Sequence, residues 1–125
     1  MERLRFHCWW LTVGWLLVLG VVYSSLTPNP VDVSPLVLGD KLAHFGAYLV
    51  LMLWFAQLYA RRRHRIIAGW LVLLGVVLEV VQGGLGYRTF DLADMLANTL
   101  GVVTAWWLAA TSLGHWLRRC EARWL

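Results

Sequence analysis

Apolar residues run along the chain in four long stretches, at about 9–26, 40–60, 66–83 and 91–113, separated by short polar clusters. A hydrocarbon core of about 30 Å is crossed by about 20 helical residues at about 1.5 Å each, so every stretch is long enough for a span. The breaks carry stop and start signals. Thr27-Pro28-Asn29-Pro30 ends the first stretch, because proline lacks a backbone donor and turns the preceding residue away from helical geometry. Residues 31–39, with Pro35 and Gly39, read as an irregular loop. Asp40 and Asp91 stand where an N-cap carboxylate would accept from free amides. Arg61-Arg62-Arg63-His64-Arg65 closes the second stretch, and Gly83, Gly84 and Gly86 mark a tight turn after the third. Along the fourth, Ala93, Ala97, Gly101, Ala105 and Ala109 recur every four residues, a small-residue stripe that lets a neighbouring helix approach. The pattern predicts an all-α fold: a polytopic membrane protein built as a four-transmembrane-helix bundle, with the fourth helix central.

Composition narrows this further. The 125 residues are 60% hydrophobic with nine Trp, and the mean hydropathy is +0.63. Four spans take roughly 80 positions and leave less than the roughly 50 residues of the smallest soluble domains, so residues 1–125 read as a single membrane domain. The first stretch exceeds the roughly 7–15 apolar residues of a signal peptide and no Ala-x-Ala site follows it, so it is expected to stay as a membrane helix.

The formal charge of +4 does not point to nucleic acid, because the basic residues cluster against span ends. Arg3, Arg5, Arg61, Arg62, Arg63, Arg65, Arg118, Arg119 and Arg123 fall on one side, and Lys41 and Arg88 on the other. The positive-inside rule then places both termini in the cytoplasm, an N-in/C-in topology in the cytoplasmic (inner) membrane. Trp9, Trp10, Trp70, Trp116 and Trp124 gather at the same side as an interfacial belt. Cys8 and Cys120 lie at opposite ends without metal or redox spacing.

The chemistry concentrates in one layer at the other side. Asp40 and His44 are four residues apart, Glu79 and Gln82 three, and Asp91, Asp94 and Asn98 follow at three and seven, so each set lies on one helical stripe. Counting helical rise puts Glu79 and Asn98 about 10 Å below the surface and His44 and Asp94 somewhat shallower. Ionisable groups inside a span cost about 2.5–3.5 kcal/mol each near its centre, so a gathered set needs either partners or a function. Several chemistries lack their residues. Ser24, Ser25, Ser34 and Ser112 have no nucleophile-elbow context, Gly83-Gly84-Leu85-Gly86 lacks the Lys-Ser/Thr of a phosphate loop, and one His with two carboxylates is a weak metal set. No metal and no cofactor are expected.

Two motifs, Asp40-Lys41-Leu42-Ala43-His44-Phe45-Gly46-Ala47-Tyr48 and Glu79-x-x-Gln82 with Arg88 and Phe90-Asp91-x-x-Asp94-x-x-x-Asn98-x-x-Gly101, together resemble the signature of the VanZ-like membrane protein family. The resemblance extends from Asp40 to about Gly101. Where members often carry Pro-Gly before the Arg, this chain has Gly86-Tyr87. The resemblance implies a small polytopic envelope protein, in a family named for a member linked to teicoplanin resistance, and implies no particular reaction. Two functional readings fit the residues. In one, a cleft open to the outer leaflet binds or modifies an envelope lipid or lipid-linked head group. His44, Glu79 and Asp94 would then handle protons, and Asp40, Lys41, Gln82, Arg88, Asp91 and Asn98 would hold the ligand. In the other, the same residues cap and pair helices in a structural or scaffold protein.

Overall fold

The computed structural model describes residues 4–26, 37–85 and 92–124. They form five helices: α1 (His7–Leu26), α2 (Val37–Leu58), α3 (His64–Leu85), α4 (Leu92–Ala109) and α5 (Trp116–Trp124). The first four are long and apolar enough to cross a membrane, so the chain is an all-α, polytopic membrane protein. Large apolar side chains such as Leu19, Leu73, Leu100 and Trp107 point away from the bundle, as a hydrocarbon solvent requires.

The boundaries differ from the sequence expectation in three places. Helix α2 begins at Val37, so Asp40 falls inside the helix and is not its N-cap. Helix α3 runs through Gly83 and Gly84 to Leu85, because a glycine weakens a helix by only about 1 kcal/mol and removes no backbone donor. Helix α4 stops at Ala109, where a 3₁₀ turn (Ser112–His115) follows. A Cβ at Gly114 would collide with the Ala109 carbonyl, so only glycine fits this turn. The expected spans at residues 40–60, 66–83 and 91–113 are thereby shifted at their ends but kept in number.

Helix periodicity decides what is buried. On α3, His64, Ala68, Leu71, Gly75, Leu78, Glu79 and Gln82 form one inward stripe. On α4 the stripe is Asp94, Asn98, Gly101, Val102, Ala105 and Ala109. The small-residue reading therefore holds from Gly101 onward, while nearer the start the inward positions are Asp94 and Asn98 instead of Ala93 and Ala97. The most extensive packing joins α2 to α4, which run in the same direction and meet where Gly101 lies against the Phe45 carbonyl.

Helix α1 is peripheral, with Gly14 its one buried residue. A methyl group at Gly14 would lie 3.0 Å from the rings of Trp54 and Phe55, so this glycine sets the approach of α1 to α2. The Trp54 indole N–H donates to the Trp10 carbonyl at 3.0 Å. Both ends of α1 are held by side chains from elsewhere. Gln82 donates from Nε2 to the Ser25 carbonyl at one end. At the other, Glu121 of α5 accepts from the Arg5 N–H at 2.7 Å, the Phe6 N–H at 3.0 Å and the Trp10 indole N–H at 2.7 Å. The orphan donors at a helix start are thus satisfied by a carboxylate from the far end of the chain.

The arginine-rich end has further ties. Buried Gln57 donates to the Leu113 carbonyl at 2.6 Å and accepts from the Leu117 N–H at 3.2 Å, anchoring α5 to α2. His64 Nε2 lies 2.9 Å and 3.2 Å from the Ala56 and Tyr59 carbonyls, so Nε2–H donates to both and closes the turn between α2 and α3.

Burial raises the Glu121 pKa, but the three N–H donors and the Arg5 charge outweigh it and hold the carboxyl below its ordinary 4.5. A depressed carboxylate pKa stabilises the fold above the unfolded value, and that contribution is lost as pH falls through the folded one. Glu121→Gln is expected to be less stable than the wild type in detergent at neutral pH, with the gap closing as pH drops below about 4.5. A gap constant from neutral to strongly acid pH would show that the carboxylate charge does not hold the two ends of the chain together.

Candidate functional site

The parallel packing of α2 on α4 sets two polar pairs one turn apart. Lys41 Nζ donates to Asp94 Oδ1 at 3.0 Å. One turn deeper, His44 Nδ1 lies 3.1 Å from Asn98 Oδ1, and His44 Nε2 is 3.8 Å from Asp94 Oδ2, within ion-pair range but beyond a direct hydrogen bond. Because Asn98 Oδ1 is an acceptor only, Nδ1 carries the hydrogen in this contact. Nε2 is then the ring atom that can exchange a proton, with a carboxylate placed to stabilise the charged ring.

Access falls from Lys41 inward. The Lys41 side chain is 28% exposed, His44 14% and Asp94 11%. Asn98 and Glu79 are buried. Room for Asn98 comes from α3: a Cβ on Gly75 would lie 3.1 Å from Asn98 Nδ2 and 3.4 Å from the Tyr48 ring. Glu79 follows one turn later on the same stripe of α3, and Tyr48 lies within reach of its charge. Because α3 runs opposite to α4, Glu79 lies one turn from Gly75 toward the end of the bundle that carries Asp94. The result is a graded site, with an ammonium at its mouth, an imidazole and a carboxylate below it, and a second carboxylate enclosed beside a tyrosine.

The nine candidate residues divide accordingly. Lys41, His44, Asp94 and Asn98 come together in direct contact, and Glu79 joins the same layer from α3. Gln82 shares that stripe but turns its amide to α1 and the Ser25 carbonyl. Arg88 and Asp91 lie outside the described residues, as does the side chain of Asp40. Among the described residues, no three His, Cys, Asp or Glu side chains converge as ligands for a metal ion.

The fold and this cluster define a class: a small helical membrane protein with an ionisable site recessed into one end of its bundle. A family model described as VanZ/LLP1 matches residues 5–114, and the chain belongs to that family. An uncharacterised protein of Schizosaccharomyces pombe is 38% identical over 71 residues, a match covering 54% of this chain and 44% of the relative. The chain thus corresponds to less than half of that relative's length. No solved structure matches the chain.

Tyr48 and Gly75 escaped the sequence reading, although each carries a signal. Tyr48 ends the first motif, one turn beyond His44, and Gly75 falls on the helical period leading back from Glu79 through Leu71 and Ala68. Both sit in apolar runs where nothing polar draws attention.

The orientation of His44 is open to direct observation. In ¹⁵N spectra of the histidine-labelled protein at alkaline pH, with the His44 signals assigned by difference from His44→Gln, Nδ1 is expected to be the protonated nitrogen. Asn98→Leu should erase that preference. A bare Nδ1 in the wild type would mean that Asn98 presents its NH₂ group and that Nε2 is not the proton-exchanging atom.

Proposed function

We propose that this VanZ-family membrane protein binds or modifies an anionic lipid or lipid-linked head group of the envelope, with proton exchange at the site. The site opens to the outer leaflet of the cytoplasmic membrane, with both termini in the cytoplasm. The orientation is supported by the placement of nine of the eleven Lys and Arg residues at the end opposite the cluster. One observation carries the functional reading: Asp94 is shared between the Lys41 ammonium and the His44 ring at a partly open position. A Lys41–Asp94 pair that served only to join α2 to α4 would need no histidine beneath it. A site that receives a phosphate and exchanges a proton needs both, the ammonium as a point charge for the anion and the imidazole as general acid or base.

In this scheme Lys41 and Arg88 supply positive charge to the anionic group, and Asp40 and Asp91 are further ligand-binding groups. His44 moves the proton through Nε2, and Asp94 stabilises the imidazolium. Asn98 fixes the ring through Nδ1. Glu79 is a second proton-handling group, enclosed within the bundle, and Gln82 keeps the α1 wall in place. Protection against a glycopeptide such as teicoplanin would follow if the bound head group were the drug's own lipid-linked target.

A structural role has an observation in its favour too, since Gln82 and the α2–α4 pairs all bridge helices. Function separates the two readings. Lipid profiles of a deletion strain are expected to return to normal with the wild type but not with Glu79→Gln or Asp94→Asn, while these variants accumulate as folded protein at nearly wild-type levels. Full complementation by both variants, or loss of folded protein in proportion to the defect, would assign the cluster to helix pairing alone.

A further inference from the structure

At the opposite end of the bundle a pocket of about 660 Å³ opens between α1, α2 and α5, walled by Trp9, Trp10, Trp54, Trp116, Leu117 and Cys120. Its size falls within the roughly 300–1,000 Å³ of small-molecule sites. Its walls are apolar and aromatic, which suits hydrocarbon. Trp9 and Trp116 are 65% and 48% exposed, so the rings are not filled by the protein's own side chains. Tryptophan prefers the level where acyl chains meet head groups, and four indoles around one opening put the pocket at that level.

The charges around it select the head group. Glu121 and Phe6 complete the lining. The Glu121 carboxylate accepts three N–H donors and has the Arg5 charge beside it, so little of its charge is left for an ammonium ligand. Two arginines stand just outside the lining. The Arg5 guanidinium stands 5.7 Å from the centre of the Phe6 ring. Arg123 is exposed on α5, three residues after Cys120 and seven after Trp116, hence on their side of the helix. Helix α5 is short, strongly amphipathic and rich in Trp and Arg, the composition of a helix that lies in a membrane interface and attracts anionic lipid.

We infer that this tryptophan-walled pocket seats one anionic phospholipid, with its upper acyl chain against the rings and its phosphate against Arg5 and Arg123. The site is separate from the Lys41–His44–Asp94 cluster and does not depend on the function proposed for it. The phospholipid joins α1 to α5 across the same gap that Glu121 bridges.

Native mass spectrometry of the detergent-solubilised chain, offered equal phosphatidylglycerol and phosphatidylcholine, tests this. One retained phosphatidylglycerol per chain is expected, with phosphatidylcholine released under the same activation. Arg5→Gln and Arg123→Gln should each lower retention about fivefold, the worth of one arginine at an anionic surface. Cys120→Trp should abolish retention by filling the pocket. If that variant fails to fold, Arg123→Gln, changed on an exposed face, still decides. Arg62→Gln, exposed at the same end but off the pocket walls, should retain the lipid as the wild type does. Equal retention of both lipids, an equal loss in Arg62→Gln, or a lipid-free dimer as the main species would overturn the assignment. The last outcome would mean that a second copy of the chain covers the tryptophans.

Discussion

The contact between Gly101 of α4 and the backbone of α2 at Phe45 sets the spacing on which the polar site depends. Inside a bilayer, apolar side chains gain little by meeting one another, because lipid tails are equally apolar, and helices associate through close packing and interhelical hydrogen bonds. A glycine at the crossing allows both at once. It brings two parallel helices near enough for Lys41 to reach Asp94 and for His44 to reach Asn98, pairs whose members are separated by 53 and 54 positions in the chain. Gly75 does the same for α3, allowing it to close over Asn98 and bring Glu79 to the layer.

The two ends of the bundle are built for different tasks. At the arginine-rich end the buried polar groups are consumed by structure: Gln57 ties α5 to α2, His64 closes the α2–α3 turn, and Glu121 receives the start of α1. Each acts on backbone groups that would otherwise be left without partners. At the other end Lys41, His44, Asp94 and Asn98 face one another, side chain to side chain, with exposure falling from Lys41 inward. In the function proposed above, a charged ligand enters and reorganises this pairing. Helix α1, buried only at Gly14, depends on its terminal ties more than on packing, and is therefore the span with the least intrinsic hold on the bundle.

Much of this was legible in the sequence because membrane helices are long, uniform and bounded by charge. The number of spans, the inward polar stripes and the importance of Gly101 all followed from periodicities that survive folding. What escaped had physical reasons. The helix start at Val37 was hidden because Asp40, an excellent cap in isolation, is equally acceptable one turn in, where the helix dipole favours an acid. Gly83 and Gly84 read as a turn, yet glycines leave a helix intact when nothing else ends it. Helix α5 went unseen because its arginines satisfy the positive-inside pattern whether or not they are helical, and the inward run of Leu117 and Glu121 is too short to stand out. The destination of Glu121, the entry of α1 more than a hundred residues away, has no local signature at all.

The polar site depends on the close approach at Gly101, and adding a single methyl group there tests this dependence. A Cβ at this position would meet the Phe45 carbonyl and the Leu49 amide, backbone atoms that cannot yield as a flexible side chain would, whereas at Gly20 there is open space. In reversible unfolding in detergent, Gly101→Ala is expected to destabilise the protein by about 1–3 kcal/mol, the usual cost of overpacking. It should also separate Lys41 from Asp94 in a cross-linking assay with cysteines at those two positions. Gly20→Ala should change stability by less than about 1 kcal/mol. Two variants of equal stability, with the 41–94 cross-link unaffected in both, would contradict the claim that this contact holds the polar site together.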